Sequence, residues 1–110
     1  MSALMAIKRY PWMSVKDALR HEDEARARGV SVVARSSRGF MRAYETAKSR
    51  DALAAVYVPG VNRKVTWDKR RNEFIARHLK QYRQAGGATR RRWLMFAMWA
   101  YRPSGPEPQS

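Results

Sequence analysis

The stretch TRRRWLMFAMWAYRP, residues 89–103, decides the fold because it places three arginines directly before nine apolar residues. Nine residues span only about 13 Å as a helix, whereas a bilayer core requires about 20 apolar residues. The run is therefore too short to be a transmembrane anchor. Its apolar residues fall on every side of a helical wheel, and a helix that is apolar all round is buried all round.

Two interpretations of this helix remain open. In the first, it forms the centre of the domain, where Trp93, Phe96 and Trp99 bring the large apolar area that a small core needs. In the second, one of its faces meets another chain, which predicts either a homodimer through the same three side chains or docking in a groove of a partner. We favour the first interpretation, and we expect Thr89 to cap the helix.

The three arginines stand at the electrostatically unfavourable end of this helix. Residues 90–92 form its first turn, and a helix N-terminus already carries partial positive charge. One explanation is a solvated charge cluster with a small energetic cost. The other is an anion site, where backbone N–H groups and guanidinium groups converge on a phosphate. We favour the anion site, because the unfavourable placement then has a purpose.

The remaining pattern predicts an all-α fold, a small single-domain bundle of about four helices with a buried C-terminal helix and flexible termini. Residues 1–13 are expected to form an N-terminal arm, and residues 14–101 the helical domain. Residues 102–110 are expected to be a disordered tail, because they contain three prolines and no large apolar residue. One helix should run from a cap at Ser14 to Gly29, with Asp17 completing the capping box.

The clearest helix is expected over residues 67–84, between Thr66 and the pair Gly86-Gly87. Its apolar residues share one face; they are Trp67, Phe74, Ile75, His78, Leu79 and Tyr82. Two shorter segments are ambiguous. Val30–Val33 is expected to be a short helix capped by Ser31, and Ala52–Val58 part of a short helix capped by Asp51, with a strand as the alternative for each. Ser36 or Ser37 should cap a helix between them.

Charge is the most unusual property of the chain. Its 110 residues carry 23 Lys and Arg against 9 Asp and Glu, a net charge of +14. So large a charge favours an acidic partner, either nucleic acid or an acidic protein surface. Arginine predominates, which suits bidentate phosphate contacts, although GC-rich coding would produce the same excess. The absence of cysteine excludes a disulfide framework, a thiolate metal site and a cysteine nucleophile.

The positive charge is concentrated in the second half of the chain, where residues 56–110 hold 12 basic and 3 acidic side chains, or +9, against +5 for residues 1–55. We expect these basic side chains to form one exposed flank that contacts phosphate groups. The predicted contact residues are Arg63, Lys64, Lys69, Arg70, Arg77, Lys80, Arg83, Arg90, Arg91 and Arg92.

Catalytic and metal chemistry finds little support in the sequence. Neither a zinc-protease motif, a phosphate-binding glycine loop nor a nucleophile elbow occurs. His21 is expected on a solvated helix face, and His78 in the core. We therefore predict no enzyme activity, no cofactor and no metal. A helix-turn-helix around Ala34 and Gly39 fits the motif only in part, and close packing at Gly39 is the simpler explanation.

The sequence thus predicts a small, basic, non-enzymatic, cytoplasmic protein that binds nucleic acid. The alternative is an interaction or inhibitor module that docks on an acidic protein. In composition the chain is similar to small Arg-rich proteins encoded by phages and mobile elements, a resemblance that assigns no residue. DNA and RNA remain equally open as targets, as do sequence specificity and oligomeric state.

Overall fold

Short helices joined by tight turns make up the molecule. The computed structural model describes residues 10–61 and 64–110. Its helices are α1 Val15–Arg20, α2 Glu22–Ala27, α3 Phe40–Ala47, α4 Arg50–Leu53, α5 Trp67–Arg83 and α6 Arg90–Ala97. Five have six or more residues, and α4 is a single turn. No strand occurs within these described ranges, so the helical class is confirmed, while the arrangement as a bundle of about four helices stays a prediction.

The first predicted helix is divided in two. The Ser14 hydroxyl accepts a hydrogen bond from the Asp17 N–H at 3.1 Å, as the capping pattern predicts. The helix then breaks at His21, which separates α1 from α2. Gly29 ends α2 with a φ of +66°, and the Val30 N–H reaches back to the Ala25 carbonyl at 2.9 Å. This 6→1 bond is the Schellman ending that glycine permits.

The segment between α2 and α3 corrects two predictions. Residues 32–35 form turns, so the predicted short helix over Val30–Val33 is wrong, and neither Ser36 nor Ser37 caps α3, which begins after Gly39. A Cβ atom on residue 39 would lie 2.2 Å from the Val33 carbonyl oxygen. Gly39 is therefore required for close packing, and the long irregular segment leaves no helix-turn-helix.

The residue that caps α4 lies two positions before the one predicted from the sequence. The Ser49 hydroxyl, not Asp51, accepts the hydrogen bond from the Ala52 N–H, at 3.3 Å. Beyond α4 the strand alternative is limited to one antiparallel bridge between Tyr57 and Thr66. The Val58 N–H donates to the Val65 carbonyl at 2.8 Å beside this bridge.

Helix α6 lies at the centre of the core, as expected. The Thr89 hydroxyl accepts from the Arg92 N–H and caps the helix. Trp93, Phe96 and Trp99 are 1%, 0% and 8% exposed. These side chains are therefore buried within one chain, and a homodimer through them stays a prediction.

A buried arginine ties both ends of the described chain to α5. Arg71 is 0% exposed, and it donates to the carbonyls of Tyr10, Pro11, Trp99 and Ala100 at 2.8–3.0 Å. Its guanidinium also lies 3.8 Å from the Trp12 ring centroid. Burial lowers the pKa of Arg71 to about 9, so the group is charged at neutral pH and is compensated by backbone dipoles.

The C-terminal segment, which its composition predicts to be a disordered tail, makes several contacts with the domain. Pro103 is buried, the Arg90 guanidinium pairs with Glu107, and the Arg90 N–H donates to the Ser110 carbonyl oxygen at 3.1 Å. Within the described ranges, no helix has the length and hydropathy needed to span a membrane.

Candidate functional site

A groove of about 600 Å³ lies between the loop 29–34, the exposed edge of α5 and the start of α6. We call it the arginine groove. Its lining comprises residues 29–34, Arg70, Phe74, Arg77, His78, Arg91, Arg92, Met95 and Trp99. It brings together four of the ten residues predicted to contact phosphate, two from α5 and two from α6.

The composition of this lining is unusual for a protein surface, which generally mixes both signs of charge. Arg70, Arg77, Arg91 and Arg92 supply four positive charges, and no aspartate or glutamate from the described ranges lines the groove. The potential inside it is therefore positive, and the concave shape concentrates that field. An anion is the ligand that such a groove favours.

Helical spacing explains how α5 contributes to the groove. Arg70, Phe74, Arg77 and His78 follow one another at intervals of four, three and one residues, which places them along one edge of the helix. Arg77 is exposed, whereas Arg70, Phe74 and His78 are half-buried. One edge therefore presents a cationic row directly beside an aromatic row.

The two α6 arginines are anchored by backbone carbonyls. The Arg91 Nη1 donates to the Arg28 carbonyl at 2.5 Å, and the Arg92 Nη1 donates to the Gly87 carbonyl at 3.1 Å. A guanidinium carries five N–H donors, so each anchor leaves others for a ligand. Holding the guanidinium in place lowers the entropy that is lost when an anion binds.

Aromatic rings form the floor. Trp99 and Phe74 stack with their centroids 4.8 Å apart and their planes 20° apart, and the Phe74 and His78 centroids lie 4.4 Å apart. The ladder thus runs from the buried core at Trp99 to the groove wall at His78. Desolvation, followed by the nearby charge of Arg77, lowers the pKa of His78. The imidazole is therefore neutral at pH 7 and presents an uncharged flat ring.

Arg90 does not belong to the groove, although the sequence grouped it with its two neighbours. Its side chain is 11% exposed and contacts the C-terminal segment through Glu107. Glu24 accepts hydrogen bonds from its Nε at 2.8 Å and its Nη2 at 2.6 Å. These hydrogen bonds and those to Glu107 raise its pKa and lower the pKa of both carboxyl groups. Arg90 is a structural ion-pair residue, so the predicted anion site keeps only Arg91 and Arg92.

The other predicted contacts are dispersed. Lys69 and Lys80 are exposed on α5 outside the groove lining, and Arg83 borders a separate cavity with Pro103. Lys64 lies 6.0 Å from the Tyr57 ring centroid. Arg63 lies outside the described residues. Four of the ten predicted contacts thus line one groove, and a single flank that includes the others stays a prediction.

Several groove residues were not among the predicted contacts. His78 and Phe74 were assigned to the core because both fall on the apolar face of α5, yet both border the groove. Val32 and Val33 are 63% and 79% exposed, although an apolar run normally predicts burial. The available signal was that this valine run lacked a convincing strand partner or helical period.

The acidic residues near His21 are engaged elsewhere. Glu22 accepts two hydrogen bonds from Arg42 at 2.7 Å, and His21 packs edge-on to Trp93 at 4.8 Å. Across the described part of the chain, no three histidine or carboxylate side chains group closely enough to hold a metal ion. His21 is thus a packing residue, in contrast to the solvated position expected for it.

No protein-family model, curated protein or solved structure matches this chain.

Proposed function

We propose that this protein binds nucleic acid through the arginine groove, with phosphate groups as the principal ligands. One observation supports this above all: Arg70, Arg77, Arg91 and Arg92 converge on a concave surface that carries no carboxylate in the described chain. Guanidinium groups form paired hydrogen bonds with phosphate oxygens, which gives both charge and directional recognition.

The role we propose is binding without catalysis, in a cytoplasmic protein. General acid–base chemistry on a phosphodiester needs groups that supply and remove protons. The groove offers one imidazole, His78, and arginines that remain protonated. Phosphate contacts alone discriminate little between base sequences, so the expected binding is sequence-tolerant.

The test is the salt dependence of binding, measured by fluorescence anisotropy with a labelled oligonucleotide of 20 nucleotides. Release of counterions from four phosphate contacts predicts a slope of log K against log salt of about −3. The variants Arg77→Gln and Arg91→Gln should each make the slope shallower by about 0.7–0.9 and weaken binding. A slope near zero, or unchanged slopes in both variants, would remove the proposal.

Lys16→Gln is the matched control, because Lys16 is exposed on α1 and lies outside the groove. It removes the same charge from the whole protein, so it separates a local contact from a general loss of net charge. Lys80→Gln tests whether the contact surface extends along α5. An effect of Lys80→Gln as large as that of Arg77→Gln would favour the wider flank predicted from the sequence.

A second candidate function, docking on an acidic protein, is favoured by the exposed valines. Val32 and Val33 stand at the groove rim and give it an apolar border, which suits a protein surface more than phosphate. A pull-down after nuclease treatment distinguishes the two functions. A protein partner that survives this treatment, together with no affinity for oligonucleotides, would favour the second candidate.

A further inference from the structure

We infer that the arginine groove accommodates single-stranded nucleic acid, with an unpaired base placed against the aromatic floor and the flanking phosphates held by the arginines. The inference rests on the proposed nucleic-acid binding and names the form of nucleic acid that the groove selects. Its basis is the combination of positive charge and half-buried aromatic rings within one concave surface.

The floor gives the first argument. Trp99 stacks on Phe74, and the His78 ring lies against Phe74 with its plane tilted by 48°. His78 is the outermost of the three rings and is half-buried. A base that stacks on the imidazole would add one ring to these three. Stacking is tolerant of base identity, because every base has a flat π-face. A ligand made of phosphate alone has no flat ring that could stack on this floor.

The distribution of charge gives the second argument. Arg70 and Arg77 reach the groove from α5, and Arg91 and Arg92 reach it from α6. The cations therefore border the floor from two separate helices. When a base of the strand lies between the two helices, the backbone before it and the backbone after it can contact both arginine pairs. Met95 and the loop valines enlarge the apolar surface on which the base rests.

A duplex satisfies this arrangement poorly. Its base faces are hidden in the stack, so it presents phosphates and groove edges only. The phosphates of a duplex would contact the arginines that border the groove, but no base would cover the aromatic floor. A single strand exposes its bases and covers both kinds of surface. The groove should therefore prefer single strands, which the charge of the protein by itself does not require.

Three probes with the same number of phosphates test the inference: a single-stranded oligonucleotide, an abasic strand of the same length, and a duplex with the same total number of phosphates. We expect the single strand to bind about 5- to 100-fold more tightly than the abasic strand, because a stacked base contributes this much to affinity. His78→Ala should reduce that ratio several-fold while the salt slope stays unchanged. His78→Phe, which keeps a flat ring, should restore it.

A 2-aminopurine base in the strand reports stacking directly, since stacking quenches its fluorescence. Quenching in the unmodified protein that is lost in His78→Ala and recovered in His78→Phe supports the inference. Equal affinity for the single and abasic strands, or tighter binding of the duplex, overturns it and leaves the proposed nucleic-acid binding intact. If none of the three probes binds in 0.1 M salt, the proposed function fails together with the inference.

Discussion

The buried guanidinium of Arg71 leads to the sharpest prediction about stability. Arg71→Met keeps most of the side-chain volume and removes every donor. The Ala100 carbonyl retains a hydrogen bond from the Met13 N–H at 2.6 Å. The carbonyls of Tyr10 and Trp99, whose bonds to Arg71 are buried, would be left without that donor in a region that excludes water.

Each buried carbonyl that loses its donor costs about 1–3 kcal/mol, and a desolvated contact between guanidinium and indole contributes about 2 kcal/mol. Relief of the desolvation of the charge itself offsets part of this loss. We therefore expect Arg71→Met to lower the free energy of unfolding by about 3 kcal/mol, a large share of the 5–15 kcal/mol typical of a domain. Arg71→Lys keeps the charge but loses the planar fork, and should cost less.

Urea unfolding followed by tryptophan fluorescence measures this loss as a lower midpoint at constant m-value. Arg70→Met is the control, because Arg70 adjoins Arg71 in sequence but lines the groove; its effect should stay within about 0.5 kcal/mol. An Arg71→Met variant as stable as the unmodified protein would contradict this expectation, since the carbonyls would then have found other donors.

Three further predictions concern pH, the C-terminal segment and a glycine. The free energy of unfolding should fall as the pH drops below 6.5, because burial lowers the pKa of His21 and His78. The unfolded chain then binds protons at a higher pH than the folded chain does. Urea midpoints from pH 7.5 to 5 measure this loss of stability. Glu107→Gln should weaken the pair with Arg90, cost about 1 kcal/mol or less, and accelerate proteolysis after residue 102. Gly39→Ala should cost about 3 kcal/mol in urea unfolding, because its Cβ meets backbone oxygen.

Each of these has its own control. The loss of stability at low pH should become smaller in His21→Gln, and an unchanged loss would mean that other groups cause it. Gln109→Ala alters the same C-terminal segment without touching the ion pairs, so faster cleavage there as well would argue against the role of Glu107. Ser37→Ala, at an exposed position near Gly39, should be nearly neutral. A neutral Gly39→Ala would show that the loop can move aside.

The long helices were predictable from local signals. Thr66 and Thr89 precede α5 and α6, and the apolar period of α5 places Trp67, Ile75 and Leu79 on the buried face, as observed. These features depend on residues within a few turns of one another. The burial of α6 also follows from its composition, since no side of it is polar beyond the first turn.

Features created by distant contacts were not predictable from local pattern. Arg71 lies four residues after Trp67 and four before Ile75, on the buried face, but its acceptors come from segments 28 and 61 residues away. Arg90 likewise meets Glu24 across 66 residues. Periodicity indicates which face of a helix is buried, and it carries no information about which distant oxygen will neutralise a cation there.

The arginine groove was half predictable for the same reason. Arg70 and Arg77 are related by helical spacing, and Arg91 and Arg92 are adjacent in sequence. That the two pairs face each other depends on how α5 packs on α6 and on the turn over residues 30–35. This turn is stabilised by the Arg35 side chain, whose Nε donates to the Val30 carbonyl at 2.8 Å, a contact that a residue pattern does not reveal.

The four backbone carbonyls that accept hydrogen bonds from Arg71 also have a consequence for biosynthesis. Among the carbonyls that accept from Arg71, that of Tyr10 precedes it in the sequence and that of Trp99 follows it. The two loops that these contacts close can therefore form only after both segments have emerged from the ribosome. Closing long loops precedes the gain from the contacts they bring together, which slows folding. A nascent chain halted before position 99 would therefore lack two of the four backbone carbonyls that accept from Arg71.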